Sequence, residues 1–206
     1  MSIYRIAYGM LLFLLVFIVI AVWAGMDFPG DSAVNEWFGN VHSDSLDSSM
    51  TFISNLGAFP YCLIASLLFG LIFWLMRRKN ESLFIIAAPY IGVCISYILK
   101  LTIRRPRPLP DSAATSFPSG HTIFIFILMG LLIYFLPLII KNQTGRILCQ
   151  LAAILSIIAM CFSRLYLQAH WLSDIISSLI IGTLILIPAI MLYQKMNKGK
   201  SNARTS

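Results

Sequence analysis

The side chains able to do chemistry fall in three short blocks: KLTIRRPRPLP from Lys100, FPSGHT from Phe117 and SRLYLQAHWLSD from Ser163. In the first, Lys100 closes an apolar run, and Pro106, Pro108 and Pro110 cannot continue a helix. Arg107 is therefore expected in an extended or turning segment that folds back over the helix end, pointing two cations at one anion. In the second, Pro118, Ser119 and Gly120 stand immediately before another apolar run. A helix start offers free N–H groups and a positive dipole end, and glycine lets a ligand approach the backbone, so this stretch suits a phosphate. His121 then lies in the first turn, beside the anion. In the third, His170 and Asp174 are four apart, with Arg164 just before them. On a helix beginning near Trp171 they share a face, where the carboxylate accepts a hydrogen bond from the imidazole. Each block alone has a plainer reading, as a snorkelling cation, a capped turn or an interfacial hydrogen bond. Together, at span ends on one face, they describe an anion site flanked by two imidazoles.

The elements that must hold these blocks are apolar. Of 206 residues 59% are hydrophobic and only 11% charged, where a soluble domain carries about 25% charged residues. The chain reads as an all-α polytopic membrane protein. Six runs approach the roughly 20 residues a helix needs to cross a bilayer: Ile6 to Trp23, Ala58 to Met76, Ser82 to Lys100, Thr122 to Ile140, Ile147 to Leu165 and Trp171 to Tyr193. None alternates with period two, and helices satisfy their own backbone in lipid. The first run is longer than a signal-peptide core and AVWAGM offers no clean cleavage site, so an uncleaved span is expected. No second domain, repeat or low-complexity tract is visible. Residues 1–206 are read as one six-span domain with its functional core at 100–174. Small residues four apart, Gly92 with Ser96, Ser173 with Ser177 and Ser178 with Gly182, are expected to let helices approach closely.

Arg5, the Arg77 to Lys79 turn, Lys141, Arg146, Lys195, Lys198, Lys200 and Arg204 all fall on one side, which the positive-inside rule makes the cytoplasm of a cell membrane. Both termini lie there, with 194–206 as a basic tail. Gly25 to Gly57 carries five acids and no Lys or Arg, and forms an extracytoplasmic loop. The net charge of +7 is thus an orientation signal and not a nucleic-acid footprint. The acceptor Asn142 to Thr144 falls on the cytoplasmic side, where no sugar is expected. Cys62, Cys94, Cys149 and Cys161 have neither zinc-site nor disulfide spacing and are read as packing residues.

Lys100, Arg104, Arg105, Arg107 and Arg164 are left on the outer face, against the orientation rule and beside His121 and His170. Ionisable groups near membrane depth are costly and mark function. Arg104 and Arg105 either grip a second phosphate or are solvated, and His42, in the acidic loop, is read as solvated. Trp37, Phe38 and Trp171 suit the lipid interface, as substrate guides or an ordinary aromatic belt.

The spacing resembles a known family. Lys100 with Arg107-Pro108 matches K-x6-R-P, Pro118 to His121 matches P-S-G-H, and Ser163-Arg164 with His170 and Asp174 matches S-R-x5-H-x3-D. In this order they are similar to the signature blocks of the type-2 phosphatidic acid phosphatase superfamily. Soluble vanadium-dependent haloperoxidases share the blocks, but the spans set this chain apart from them. The resemblance implies a metal-independent lipid phosphatase acting on a phosphate monoester or diphosphate at the outer leaflet. It implies His170 as the nucleophile that forms a phosphohistidine, Asp174 as the group that orients it, and His121 as the acid for the leaving oxygen. Lys100, Arg107, Arg164, the Ser119 hydroxyl and the Gly120 N–H would hold the phosphoryl oxygens. Phosphatidylglycerol phosphate, undecaprenyl diphosphate and phosphatidic acid all remain open as substrates.

No cofactor is expected, because Asp111 and Asp174 are the only acids after Glu81 and form no carboxylate cluster for a metal. The lipid bilayer and a lipid phosphate are the expected partners, without nucleic acid or an obligate protein. Two alternatives share the cluster: a phosphotransferase, and a lipid or anion transporter. A transporter predicts broken or charged helices near mid-membrane, whereas these ionisable groups sit at span ends.

Overall fold

The computed structural model describes the backbone at 3–109 and 114–202 and side chains at 5–109 and 114–197. Pro110, Asp111 and Arg204, and the side chains of Lys198 and Lys200, lie outside the described residues. The chain forms α1 (Ile3–Trp23), α2 (Asp31–Gly39), α3 (Asp44–Leu56), α4 (Tyr61–Leu75), α5 (Lys79–Ile103), α6 (Gly120–Phe135), α7 (Gln143–Tyr166) and α8 (Leu172–Asn202). Among the described residues there is no strand, only an isolated bridge between Pro106 and Thr115.

Among the described residues five helices are long and apolar enough to cross a membrane: α1, α5, α6 with the short 3-10 turn after it, α7 and α8. The expected span at Ala58 to Met76 is not formed by one straight helix. Helix α4 has 15 residues, about 22 Å of rise, short of a hydrocarbon core of about 30 Å. It reaches spanning length only with α3, across a 54° bend, and so is one half of a broken pair. Gly57 and Pro60 lie in that bend, and proline has no N–H to carry the helical ladder through it.

Helix α6 is the hub. Ile123, Phe124, Ile127, Leu128, Leu131 and Phe135 are buried against α5, α7 and α8. The outer helices turn Phe13, Phe17, Leu71, Leu151 and Leu155 outward. In water that surface would be an aggregation liability, whereas in lipid it is matched to its solvent. The small-residue positions perform as expected: a Cβ at Gly92 would lie 2.5 Å from Ile123 Cγ2, and one at Gly182 2.5 Å from Phe126 Cδ1. Cys62 is buried, but Cys94 and Cys149 are exposed and do not pack the interior. They share apolar helices with outward-facing neighbours, where a thiol costs nothing in lipid. Asn142 caps α7 by accepting from the N–H groups of Thr144 and Gly145, which accounts for its place in the sequence without a sugar.

Cross-links between loops show which helix ends lie together. Leu109 N–H donates to the Gln168 carbonyl, Gln168 Nε2 to Asn35 O, and Trp171 Nε1 to Pro106 O. Segments 24–60, 104–109, 114–119 and 167–171 therefore share one end of the bundle. At the other end Tyr193 donates to buried Glu81, and Asn80 Nδ2 donates to Asn197. The Arg77 to Lys79 turn and Lys195 belong to that second end.

Candidate active site

Each catalytic candidate is delivered to the same end of the bundle by a different element. Lys100 stands in the last turn of α5, and its ammonium donates to the carbonyls of Thr115 and Ser116, both at 2.9 Å. Those two bonds hold Thr115 and Ser116 against the helix end and leave the third N–H of Lys100 for a ligand. Arg107 lies in the loop after α5. Ser119 caps α6: its hydroxyl accepts from Thr122 N–H at 3.3 Å and Thr122 Oγ1–H at 3.0 Å, so its own proton is free to be donated. Its backbone N–H is held by Ser178 Oγ at 2.8 Å, which fixes the turn before α6 against α8. Gly120 and His121 open the helix, where N–H groups have no intrahelical partner.

Arg164 is buried in the last turn of α7, and one of its Nη1 hydrogens goes to Ser54 Oγ at the end of α3. His170 occupies the turn before α8, and Asp174 lies in the first turn of α8. The expected imidazole–carboxylate contact is present but long: Nδ1 is 3.5 Å from Asp174 Oδ2, which also accepts the Trp171 N–H at 3.0 Å. Lys100, Arg107, Arg164 and His170 all act electrostatically on His121, and Lys100, Arg164 and Asp174 on His170. Six of the residues singled out in the sequence, Lys100, Arg107, His121, Arg164, His170 and Asp174, thus lie close enough to act on one another, and Ser119 and Gly120 immediately precede His121 in the chain.

The cluster is rich in donors and poor in acceptors. Among the described residues, the buried polar side-chain atoms without a partner are Arg107 Nε, Arg164 Nε, His170 Nδ1 and Ser116 Oγ. Buried guanidinium N–H groups facing no acceptor are costly, and an oxyanion is the ligand that satisfies several at once. Asp174, the carboxylate at the centre among the described residues, is already engaged by Arg105 and the Trp171 N–H. Burial pushes His170 down to about 4 against the upward pull of Asp174, so its ring is neutral at pH 7. A neutral imidazole with Nδ1 turned to a carboxylate presents Nε2 as a lone pair. Among the described residues no group of three His, Cys, Asp or Glu side chains is placed to hold a metal ion.

Arg105 is not solvated, and its guanidinium is already engaged: its side chain is only 12% exposed and bridges Asp31 and Asp174. Arg104 is exposed, in a left-handed conformation (φ 52°) that ends α5, with Nε donating to Leu101 O. His42 is exposed, as expected, but not solitary, lying 2.9 Å from Asp47, which also accepts the Tyr166 hydroxyl proton at 2.5 Å. Sequence reading did not assign Asp31, Ser54 or Gly57 to the site, although all three reach it. The available signal was charge balance: five acids in 25–57 share a face with five unexplained cations, so some pairing was to be anticipated.

The fold and this site define an integral-membrane lipid phosphatase, an enzyme that hydrolyses phosphate esters. Residues 81–198 match the model of the PAP2 superfamily, and the chain belongs to that family. Phosphatidylglycerophosphatase B of Bacillus subtilis is 24% identical over 163 residues, covering 75% of this chain and 79% of that protein. Undecaprenyl-diphosphatase BcrC of the same organism is 27% identical over 156 residues, covering 70% and 73%. The crystal structure of a transmembrane PAP2-type phosphatidylglycerolphosphate phosphatase from Bacillus subtilis superposes with a TM-score of 0.76 at 22% identity, over 88% of this chain and 94% of that one. Aquifex aeolicus LpxE gives 0.64 at 22% identity, over 80% and 97%. At that identity the likeness is one of fold.

Proposed function

We propose that the chain hydrolyses a lipid phosphate monoester or diphosphate, without a metal, through a phosphohistidine on His170, at the extracytoplasmic face of the membrane. The observation that carries this is the convergence of two imidazoles and three cations, from separate helix ends and the loop after α5, on one spot where Asp174 faces His170. Phosphoryl transfer is mostly positioning and charge stabilisation, which these groups supply. Lys100, Arg107 and Arg164, with the Ser119 hydroxyl and the Gly120 N–H, hold the phosphoryl oxygens. His170 Nε2 attacks phosphorus as the bond to the leaving oxygen breaks, and His121 gives that oxygen a proton. Asp174 holds the Nδ1 proton and balances the charge that develops on the ring. Water then attacks phosphorus, the P–N bond breaks, and His121 recovers a proton from the water, releasing phosphate.

The outward orientation is supported by Lys and Arg gathering at the end of the bundle away from the site, as a cytoplasmic face does. Phosphatidylglycerol phosphate and undecaprenyl diphosphate lead the substrate list because relatives named for them match over most of the chain. The test is phosphate release by the purified protein in EDTA from phosphatidylglycerol phosphate, undecaprenyl diphosphate and phosphatidic acid, with His170→Ala in parallel. Release by the wild type alone is expected. Lipid turnover without free phosphate would make it a phosphotransferase, loss in EDTA would remove the metal-free chemistry, and no turnover of any of the three lipids would leave transport.

A further inference from the structure

Asp174 is the carboxylate on which His170 depends, yet its shortest contact is to another residue. Arg105 Nη1 donates to Asp174 Oδ1 at 2.6 Å and to Ser173 Oγ at 2.7 Å, and Arg105 Nη2 donates to Asp31 Oδ2 at 2.7 Å. Asp31, at the start of α2, also accepts the Ser173 N–H at 2.8 Å and the Ser173 hydroxyl at 2.7 Å. The three charged side chains are 5%, 12% and 0% exposed for Asp31, Arg105 and Asp174. Buried ion pairs are expensive to desolvate, and apolar packing holds helices at least as well, so scaffolding alone does not call for charge here. A planar guanidinium is, by contrast, the group that fixes two carboxylates in one fork.

We propose that Arg105, anchored by Asp31, is a positioning residue: it holds Asp174 with Oδ2 turned to His170 Nδ1 and shares the charge of Asp174, setting both the aim and the proton affinity of His170. The proposal rests on the reading of His170 as the nucleophile. With Oδ1 committed to Arg105 and Oδ2 shared with the Trp171 N–H, Asp174 has no freedom to swing towards Lys100 or Arg164. Among the described residues, the charged and titratable groups facing His170 are Asp174 from α8, Arg164 from α7, Lys100 from α5 and His121 from α6, with Arg107 near His121 and Asp174. Arg105 and Asp31 stand directly behind Asp174.

This arrangement makes the two anchors act oppositely on protonation while acting alike on geometry. Removing the charge of Arg105 leaves two carboxylates uncompensated, so His170 holds a proton more tightly and the acid limb of kcat moves to higher pH. Removing the charge of Asp31 leaves the guanidinium uncompensated, and the limb moves to lower pH. Ionisation of the substrate is common to every variant and cancels. A purely mechanical prop would lower kcat without moving the limb, or move it one way in both.

The experiment uses the purified full chain in mixed micelles with phosphatidylglycerol phosphate, undecaprenyl diphosphate and phosphatidic acid, comparing Arg105→Gln, Arg105→Lys, Asp31→Asn and His170→Ala. Arg105→Gln and Asp31→Asn are expected to lose about 10- to 100-fold in kcat, the scale seen for partners one step behind metal-binding imidazoles, with KM within about threefold. Their acid limbs are expected to part by about 0.5 to 1 pH unit, upward for Arg105→Gln and downward for Asp31→Asn. Arg105→Lys keeps the charge but not the fork, so its limb stays in place and its kcat falls between Arg105→Gln and wild type. Should Arg105→Gln fail to fold, a lowered limb in Asp31→Asn with an unmoved one in Arg105→Lys still supports the clamp. Wild-type kcat or an unmoved limb in Asp31→Asn overturns it. Retained phosphate release by His170→Ala would remove the nucleophile and the clamp together, whereas an inert His170→Ala beside unmoved limbs sinks the clamp alone.

Discussion

At the scale of the residue, the site divides its labour by bond type. On the mechanism proposed above, His170→Ala removes the atom that would accept the phosphoryl group and is expected to abolish turnover. His121→Ala loses the leaving-group acid and should fall about 10²- to 10⁴-fold in kcat, and Arg164→Ala, one oxyanion donor, about 10²- to 10³-fold. Steady-state kinetics on one lipid checks the order; an Arg164→Ala more damaging than His170→Ala would contradict the assignment. The buried His170 also carries a stability signature. Its folded value is about 4 and its ordinary value 6.5, so between those pH values the unfolded chain binds a proton that the folded chain does not. Its contribution is fully present above the ordinary value and is lost as pH falls towards 4. Thermal unfolding in detergent at pH 7.5 and 4.5 should show a larger loss for wild type than for His170→Ala.

At the scale of the element, the segment between α1 and α4 touches the residues of the candidate site directly. Asp31 of α2 holds Arg105 and the start of α8, Ser54 of α3 accepts from Arg164, and Asp47 of α3 ties down Tyr166 at the end of α7. Gly57, which ends α3, has no room for a side chain: a Cβ there would lie 2.9 Å from Met160 Cε and 3.0 Å from His121 Cδ2. Met160 is flexible and can yield, so the strain passes to the imidazole. Since an ångström of misplacement costs about 10²-fold, Gly57→Ala is expected to lose roughly three- to tenfold in kcat with a thermal midpoint near wild type. An unchanged kcat would show that α3 does not aim His121. Gly92 serves packing alone, with Ile123 Cγ2 and Ile127 Cδ1 at 2.5 and 2.7 Å from a Cβ. Gly92→Ala should therefore destabilise the fold by about 1 to 3 kcal/mol, read as a lowered midpoint in detergent.

At the scale of the whole molecule, helices alternate in direction so that chemistry collects at one end and most of the basic residues at the other. A single cysteine placed at Ser43, in a variant with Cys62, Cys94, Cys149 and Cys161 replaced, should react with an impermeant maleimide in intact cells. One placed at Gln143 should react only after lysis. The reverse pattern would put the site in the cytoplasm and remove outer-leaflet lipids as substrates. The break between α3 and α4 bears on this scale too. With α4 too short to cross alone, the α3 end enters the bundle, which is how Ser54 and Gly57 reach groups on α6 and α7.

The three blocks at 100–107, 118–121 and 163–174 were legible in the sequence because the chemistry of a phosphoryl site is carried by residue types at fixed local spacing: a proline that ends a helix, a glycine at a helix start, an imidazole and a carboxylate one turn apart. The helical class was legible for a similar reason, since lipid demands long apolar runs that satisfy their own backbone. The partners of those blocks were not. Asp31 is 74 residues from Arg105 and Ser54 is 110 from Arg164, and nothing local in Gly25 to Gly57 distinguishes an acid that solvates a loop from one that anchors a guanidinium. Only packing, which brings distant helix ends within hydrogen-bond reach, decides which of those charges are buried and paired and which remain in water.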